Sequence, residues 1–450
     1  MEHTINLSLL KTSNRLDAEF FTSKFLKLHE QLKNKNHTQL HELCEFIRSG
    51  PAGSVLPSSV YVPSGIKIYK PSNLNNWTCE NGTISHISKK NCIEKKLLLC
   101  HSGDILISRV GDIKFGIIQS NNSTISPNLI VIRTKKELLD PYFLLAFLNQ
   151  EDGFAQIQRG SKRVSLSSIT TSHISEILIP EIPPFIQKKI GKNILKALKN
   201  QQQAKILYAK AEALLLNTIK FQNFKKNQTT KINLSKLRQT QRADAEFYIF
   251  KPALPNPIKQ ISLEKIAKIY RGIEPGRNEY KTNGKLFLRA SNIDKFGLID
   301  KSQKFISPHL YKKLSKKYQP NIEEILLVKD GKPGIAALLT QPFEGIISES
   351  IVRLEVKCHS EFISGSPEYV FLCINSPFCQ QQILIDKDGS LQPHLKVKKI
   401  EELKIPIIDK KTQDQISKLI KKSYTNFSES KKILYNSNYG KIRPSTIHQP

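Results

Sequence analysis

The acidic residues of one short, repeated segment are the first candidates for chemistry. RLDAEFF at residues 15–21 returns as RADAEFY at residues 242–248. The repeated carboxylates are Asp17, Glu19, Asp244 and Glu246. A general acid and base would need a partner site and a cause for shifted pKa values, and neither segment supplies a His, a metal set or a second acidic cluster. We therefore predict a structural role at the start of each half. The expected local partners are Arg15, Phe20, Arg242 and Phe247.

Three further patterns resemble parts of enzyme active sites. IPPF at residues 182–185 has the prolines and aromatic of an adenine methyltransferase motif, but Ile182 stands where a hydrogen-bonding side chain must hold the flipped base. EEILLVK at residues 323–329 can be aligned with an E-x-K nuclease pattern, although its counterpart at residues 102–109 changes the residue types. The nearest approach to a zinc set lacks C-x-x-C spacing and consists of Cys79, Cys92, Cys100 and His101. Glycine-rich phosphate loops are absent from the sequence, which favours a protein without a catalytic centre of its own.

The composition indicates a polyanionic partner. The formal net charge is +30, from 69 Lys and Arg against 39 Asp and Glu, and such an excess repels itself unless it meets negative charge. Nucleic acid is the first candidate. The seven cysteines include no C-x-x-C pair, which argues against a disulfide framework. The start of the chain lacks signal-peptide order, and no apolar run approaches the roughly 20 residues of a membrane span, so we expect a soluble, cytoplasmic protein.

Basic loops supply the candidate contacts to nucleic acid. FIRSGPAGS at residues 46–54 and IYRGIEPGRNEY at residues 269–280 each place an Arg after a strand-like segment and before a Gly- and Pro-containing loop. RGSKRVS at residues 159–165 is a second basic loop, and its counterpart at residues 387–396 is more polar. Arg in such loops can contact guanine in bidentate fashion. The candidate DNA-binding residues are Arg48, Lys162, Arg163, Arg271, Arg277, Lys329 and Lys332.

These loops belong to two copies of one plan. The repeated acidic segment has an offset of 227 residues, and the dipeptide IP at residues 179–180 returns at 405–406 with an offset of 226. The offset from Gly111 to Gly331 is 220, so insertions and deletions lie inside each half. A period this long predicts two whole domains in tandem and not a solenoid of short repeats.

Each half consists of a strand-rich domain followed by a long helix. Residues 40–180 and 260–406 contain short β-rich runs broken by Gly, Pro, Asn and Ser. The pattern becomes helical from Pro184 to about Phe221, and again from Asp409 onward. A helix of about 35 residues is about 50 Å long, too long for one small domain to cover. We predict that the two helices pair as an antiparallel or coiled-coil-like strut. The alternative is that each helix packs only on its own domain.

Taken together, these features resemble the specificity (S) subunits of type I restriction-modification systems. The resemblance covers about residues 5–436. It rests on the tandem halves, the GDILISR...G segment at 103–111 with its echo at 325–331, the G-S...I-P runs at 160–180 and 389–406, the long helices with Gln187 or Gln413 in their first turns, and the R-x-D-A-E lead into each half.

The resemblance implies a non-catalytic DNA-recognition subunit with an α+β fold. Each half would be a target recognition domain for one part of a split DNA site, with the paired helices as a spacer. The implied divisions are 1–182 for the first target recognition domain with its lead segment, 183–225 for the central spacer helix, 226–408 for the second target recognition domain, 409–437 for the C-terminal spacer helix, and 438–450 for a basic tail. The implied partners are double-stranded DNA, two methyltransferase subunits and motor-nuclease subunits, with S-adenosylmethionine, ATP and Mg²⁺ held by those subunits.

Two other classes of function stay open at this point. One is a self-contained DNA methyltransferase or nuclease with a cryptic site. The other is an adaptor that binds only protein. Salt-dependent DNA binding would distinguish the specificity subunit from the adaptor, because phosphate contacts release counterions.

Overall fold

The chain forms two compact units. The computed structural model describes residues 18–34, 36–160, 162–163, 167–221, 231–240, 248, 258–300, 302–357, 366–386 and 393–436. Of these, unit 1 contains residues up to 199 together with 430–436, and unit 2 contains residues 200–429. Most of the repeated acidic segments, including Arg15, Asp17, Arg242, Asp244, Glu246 and Phe247, and the side chain of Glu19, lie outside the described residues.

Unit 1 holds the first strand-rich domain. Its helices are α1 (Ser23–Lys33), α2 (Lys89–Glu94), α3 (Pro141–Leu148), α4 (Glu151–Gly160), α5 (Thr171–Ser175) and the first part of α6 (Pro184–Thr218). Its strands are β1 (His37–Gln39), β2 (Cys44–Ser49), β3 (Tyr61–Val62), β4 (Ile66–Tyr69), β5 (Ser85–Ile87), β6 (Ile105–Ser108), β7 (Phe115–Ile117), β8 (Ser123–Ile125), β9 (Leu129–Thr134), β10 (Lys162–Arg163), β11 (Ser167–Ser168) and β12 (Leu178–Pro180).

Unit 2 holds the second strand-rich domain. Its helices beyond α6 are α7 (Leu234–Thr240), α8 (Leu263–Ile266), α9 (Pro308–Tyr318), α10 (Pro367–Asn375), α11 (Pro377–Asp386), α12 (Val397–Glu402) and most of α13 (Lys410–Asn436). Its strands are β13 (Gln260–Ser262), β14 (Ala267–Arg271), β15 (Lys285–Leu288), β16 (Ile293–Asp294), β17 (Gly297–Leu298), β18 (Lys304–Ile306), β19 (Ile325–Val328), β20 (Ala336–Leu338), β21 (Gly345–Ile347), β22 (Ile351–Val356) and β23 (Lys404–Pro406).

The two units share one sheet topology. Each has a four-stranded main sheet, in the order β2-β9-β6-β7 in unit 1 and β14-β22-β19-β20 in unit 2. Each domain also begins and ends with a two-stranded antiparallel pair, β1 with β12 and β13 with β23. A second sheet adjoins the main one, β3-β5-β4-β8 in unit 1 and β18-β15-β21 in unit 2. The prediction of two tandem α+β domains with mixed, strand-rich cores is therefore confirmed.

The inner strands of each main sheet are buried on both faces, whereas the edge strands β2 and β14 are partly exposed. In β6, Ile105 and Ile107 face the helical layer that includes α3 and α6, whereas Leu106 faces the second sheet. In β19 of unit 2, Ile325 and Leu326 divide between the two faces in the same way. Alternate residues of a strand point to opposite faces, so a strand with two buried faces must be apolar throughout. This explains why the sequence shows continuous apolar runs here and no polar alternation.

The long helices α6 and α13 pair in antiparallel fashion. Within unit 2, Ser423 Oγ donates to the carbonyl of Ala204 over 2.7 Å, and Asn200 Nδ2 donates to Glu429 Oε2 over 3.2 Å. Residue numbers thus rise along one helix as they fall along the other. Within unit 1, Leu434 is buried in the same cluster as Leu198. The predicted antiparallel, coiled-coil-like pairing is confirmed, and the alternative that each helix packs only on its own domain is wrong.

Repeated glutamines fix the start of each long helix. Gln187 Nε2 donates to the carbonyl of Ile182 over 3.0 Å, and Gln413 Nε2 donates to the carbonyl of Ile408 over 2.8 Å. Asp409 accepts from the backbone N–H of Thr412 over 2.9 Å, which satisfies an otherwise unpaired donor of the first turn. The glutamines singled out in the sequence therefore have a structural role, repeated in both units.

One contact between the strand-rich domain and its long helix is made by different residues in the two units. In unit 1 the Asp140 carboxylate lies against Gly191 of α6, so closely that an added Cβ would be 2.2 Å from Oδ1. At the equivalent place in unit 2, Ser366 Oγ and Ser417 Oγ are 2.5 Å apart. Each unit fills the same space, once with an acid and a glycine and once with two serines.

We expect Gly191→Ser to destabilise unit 1 by about 1–3 kcal/mol, because the new side chain overlaps the Asp140 carboxylate. Asp140→Ser in the same chain should restore most of the loss, since it recreates the pair of serines that fills this place in unit 2. Urea unfolding of the single and double variants measures both effects. Gly53→Ala is the matched control, because an added Cβ there meets nothing within 4 Å. Equal destabilisation by Gly191→Ser with and without Asp140→Ser would contradict the explanation.

Candidate nucleic-acid interface

In unit 1, strands β2 and β6 finish at the same end of the main sheet, beside the start of β9. Strand β2 ends at Ser49, which pairs with Ile130 near the start of β9. Strand β6 ends at Ser108, and the next backbone N–H, that of Arg109, donates to the carbonyl of Asn128 over 2.8 Å. We call residues 48–50, 108–114, 127–128, 162–163 and 167–168 the sheet-end surface of unit 1.

The second basic loop of unit 1 joins this edge. Val110 forms an isolated antiparallel bridge with Ser168, and the backbone N–H of Ile169 donates to the carbonyl of Arg109 over 2.9 Å. Strand β11 in turn pairs with β10, in which Ser168 lies opposite Lys162. Two basic loops that are separate in the sequence therefore share one surface.

In unit 2, equivalent residues lie at the same end of the main sheet. The backbone N–H of Gly272 donates to the carbonyl of Ile351, and that of Lys329 donates to the carbonyl of Ser350 over 2.9 Å. Asp330 forms an isolated bridge with His394, the counterpart of the bridge between Val110 and Ser168. Residues 270–272, 329–335, 349–350 and 393–395 form the sheet-end surface of unit 2.

Glycines keep the backbone of the two sheet-end surfaces alike. Gly111 follows β6 and Gly331 follows β19, each at the same place in the hairpin. Both have φ +81°, a conformation that other residues rarely adopt. Gly50 and Gly272 pass so close to a neighbouring carbonyl that an added Cβ would be 2.1 Å and 2.0 Å from it. The offset of 220 between Gly111 and Gly331, visible in the sequence, thus reflects a shared turn.

The side chains on this shared frame differ between the units. Arg109 corresponds to Lys329, Val110 to Asp330, Asp112 to Lys332, Ser168 to His394 and Ser49 to Arg271. Elsewhere the units repeat their polar contacts: Gln156 and Gln382 each bond both backbone groups of the last domain strand. The two sheet-end surfaces therefore present different side chains on a similar backbone.

Arg48 and Arg271 do not occupy equivalent positions. Arg48 lies opposite Val131 in the ladder, and the residue in the same place of unit 2 is Tyr270, opposite Arg353. Arg271 is one residue further along its strand, so the two arginines lie on opposite faces of their sheets. The Arg48 guanidinium carbon is 5.1 Å from the centre of the Phe46 ring, and both arginines are exposed.

The other candidate residues lie in or beside the same surfaces. Lys162 and Arg163 form β10, and their side chains fall outside the described residues. Lys332 is exposed at the hairpin tip. Lys329 is 8% exposed and its ammonium lies 2.8 Å from the Asp330 carboxylate. Their roles in DNA binding stay predictions.

Arg277 lies in the loop that leaves the sheet-end surface of unit 2. It is exposed in a short 3₁₀ turn after Gly276. The Glu274 carboxylate accepts from the backbone N–H of Gly276 and from the Tyr280 hydroxyl, which holds the loop together. Burial and this carboxylate raise the pKa of Tyr280 to about 12, so the hydroxyl stays a donor at neutral pH.

Arg109 was not among the residues selected from the sequence. It is exposed on the hairpin that carries Gly111, at the place that Lys329 holds in unit 2. The signal was present: the offset of 220 that aligns Gly111 with Gly331 also aligns Arg109 with Lys329.

Glu324, one of the two glutamates of the nuclease-like pattern, has a structural role at the end of the main sheet opposite the sheet-end surface. Glu324 precedes β19 and bonds Arg353 Nη1 over 2.6 Å, while Lys329 follows the same strand. Five residues of strand separate them by about 16 Å, which is too far to share one Mg²⁺. Unit 1 has a similar ion pair at a different place in the ladder, where Asp104 accepts from Nε and Nη2 of Arg133 over 2.8 Å each. The hydrogen bond to Asp104 raises the pKa of Arg133.

The cysteines of the zinc-like set pack as apolar residues. Cys79 and Cys100 are buried in one cluster with Tyr69, and Cys92 belongs to another cluster. Burial raises the pKa of the Cys100 thiol to about 12, which disfavours the thiolate that zinc requires. Across the ranges that the structure describes, no three His, Cys, Asp or Glu side chains gather as metal ligands would. In those same ranges, no helix is long and apolar enough to cross a membrane.

Comparison with known proteins gives a family match in both units. The model described as "Type I restriction modification DNA specificity domain" matches residues 32–210 and 255–436, which together make up most of the chain. A comparison with curated proteins finds no match. One similar solved structure is the S subunit of a type I restriction-modification system from M. genitalium, at 14% identity, with 90% of this chain and 93% of that chain covered and a TM-score of 0.45. Another is the HsdS subunit from Thermoanaerobacter tengcongensis, at 12% identity, with 88% and 90% covered and a TM-score of 0.28.

Proposed function

The chain belongs to the family of type I restriction-modification DNA specificity proteins, and from this premise we propose that its two units recognise the two parts of a split DNA site. Recognition of a DNA sequence within a multi-subunit restriction-modification complex follows from the family. The finer assignment is that each sheet-end surface contacts one part of the site.

One observation carries this assignment: the two sheet-end surfaces share a backbone frame and differ in their side chains. The glycines Gly111 and Gly331 keep the hairpins alike, whereas Val110 is replaced by Asp330 and Ser168 by His394. Base edges are distinguished by the donors and acceptors presented to them, so different side chains on one frame suit two different base sequences. Arg and Lys beside them suit the phosphates, which position a protein on DNA without selecting sequence.

The helix pair supports a second part of the proposal. Helices α6 and α13 would act as a spacer that sets the number of base pairs between the two parts, and would bind two methyltransferase subunits. Motor-nuclease subunits would join that complex. S-adenosylmethionine, ATP and Mg²⁺ would be bound by those partners, in agreement with the structural roles of Glu324 and Cys100 in this chain.

The proposal is tested by exchanging one unit's strand-rich domain. Residues 37–180 run between the paired strands β1 and β12, and replacing them by the matching segment of another family member keeps both ends adjacent. We expect the methylation pattern of the hybrid complex to change in one part of the recognised site only. Sequencing of methylated bases in treated DNA gives the result.

Three outcomes distinguish the alternatives. A change in both parts of the site would contradict one part per unit. Methylation or cleavage of DNA by the purified chain alone would favour a self-contained enzyme. DNA binding by the assembled complex that does not depend on salt would favour an adaptor that binds only protein.

A further inference from the structure

An aspartate, a histidine and a lysine meet on the sheet-end surface of unit 2. Lys329 Nζ lies 2.8 Å from Asp330 Oδ2, and the other oxygen of the same carboxylate bonds His394 Nδ1. The Lys329 side chain is 8% exposed and that of Asp330 is 31% exposed, whereas that of His394 is 45% exposed. The carboxylate is therefore enclosed by two partners, while the imidazole faces outward.

The backbone holds this group in place from both sides. Gly331 donates its N–H to the carbonyl of Pro393 over 2.9 Å, and Leu395 donates to the carbonyl of Lys329 over 2.8 Å. Asp330 and His394 form the antiparallel bridge between these two hydrogen bonds. A side chain that must select one base has to be presented in a fixed geometry, and this bridge supplies it.

The partner of the ring decides the role of its Nδ1 atom. An ionised carboxylate only accepts hydrogen bonds, so the Nδ1 of His394 must be the donor to Asp330. Nε2 is then the polar atom of the ring left to meet a ligand. In the neutral imidazole it is an acceptor.

Unit 1 has no such group at the equivalent place. Val110 stands where unit 2 has Asp330, and Ser168 where it has His394. The fold therefore does not require an Asp–His pair at this bridge, because the same bridge forms without one. A polar pair with no need in the scaffold, on the surface assigned to DNA, points to a contact with the ligand.

We propose that His394 contacts one base edge in the part of the DNA site recognised by unit 2, with Asp330 as its positioning residue. This inference rests on the proposed function. When the ring is neutral, Nε2 accepts a hydrogen bond from the exocyclic amino group of adenine or cytosine in the major groove. The four base pairs present that amino group at different places across the groove, so a fixed acceptor discriminates among them.

The experiment uses the full chain assembled with its methyltransferase subunits. His394→Ala, Asp330→Asn and the double variant are compared with the native complex on a DNA library randomised across both parts of the site. Methylated molecules are sequenced to give the preference at every position. His309→Ala is the matched control, because His309 is also an exposed histidine of unit 2 but lies on α9.

We expect His394→Ala to reduce discrimination about tenfold at one position in the part read by unit 2, within the range for removal of one base-specific hydrogen bond. The other part keeps its preference, and His309→Ala changes neither. Asp330→Asn relaxes the same position, and it adds nothing there once His394 is Ala, because it acts through the imidazole. A purely structural role for Asp330 would instead weaken all positions together. The melting temperature is expected to fall in either case, since Asp330→Asn leaves the buried Lys329 ammonium without its carboxylate.

Other outcomes overturn the inference in distinguishable ways. A loss of binding that is uniform over all DNA sequences would make His394 a phosphate contact and exclude a base contact. Unchanged preferences at every position would exclude any role in recognition, while the split site itself still supported the proposed function. A native complex with no sequence preference would overturn the proposed function and this inference with it.

Discussion

Replacing Glu324 by alanine is expected to lower the free energy of unfolding of unit 2 by about 3–5 kcal/mol. Glu324 and Arg353 form an ion pair with an N–O distance of 2.6 Å, and their side chains are 5% and 9% exposed. Without the carboxylate, the guanidinium is left buried beside the Tyr270 ring, 4.1 Å away, with no charge to balance it. Removing one member of a buried pair therefore costs more than the pair itself contributes.

Thermal and urea unfolding of the variants measures this effect. Glu324→Leu combined with Arg353→Met is the informative control, since it removes both charges and keeps apolar volume, and should recover most of the stability. Asp104→Ala in unit 1 should cost less, because the Arg133 side chain is 20% exposed and water can solvate it. Equal losses in the single and the double variant of unit 2 would contradict an unpaired charge as the cause.

Removing four positive charges from the sheet-end surfaces is expected to weaken DNA binding by the assembled complex about a thousandfold or more. The variant replaces by Gln four exposed residues, Arg48, Arg109, Arg271 and Lys332. A cation that neutralises a phosphate releases counterions, so the slope of log K against log salt should flatten by about 0.9 for every phosphate that is no longer neutralised. Fluorescence anisotropy over a series of salt concentrations gives both quantities.

A control variant that loses the same number of charges elsewhere tests whether DNA binding depends on where the charges lie or only on the net charge. Helix α9 carries four exposed lysines that are not among the residues of the sheet-end surface of unit 2, namely Lys312, Lys313, Lys316 and Lys317. Replacing these four by Gln changes the net charge by the same amount and should leave most of the affinity and of the salt slope intact. If both variants bound DNA equally weakly, binding would follow total charge, and the sheet-end surfaces would not be where DNA binds.

The duplicated plan and the long helices could be predicted from the sequence because both have simple periods. Apolar residues recur at helical spacing after Pro184, and the restart at Asp409 carries its own cap, so the predicted starts of both helices lie near the observed ones. The pairing of the two helices followed from length, since a helix of 35 residues has more apolar surface than its own domain can cover.

The composition of the candidate surface could be predicted only in part, because strand register is not written in the sequence. Arg48 and Arg271 looked equivalent, yet a shift of one residue puts them on opposite faces. Lys329 looked like a free cation, and the bridge between Asp330 and His394 that encloses it joins segments 64 residues apart. Asp330 and His394 become neighbours only in the folded chain, where the hairpin tip meets the loop before the last domain strand.

The clasp formed by the first and last strands of each domain has a consequence for how such proteins change over generations. His37 lies opposite Pro180 in unit 1, and Gln260 lies opposite Pro406 in unit 2. The chain between these partners spans 144 residues in the first case and 147 in the second, but both ends still meet in the same ladder. Because the clasp fixes the ends, loops beyond it can lengthen or shorten without disturbing the helices that follow. A domain with loops of a different length can therefore be joined to the same long helix at little cost in folding.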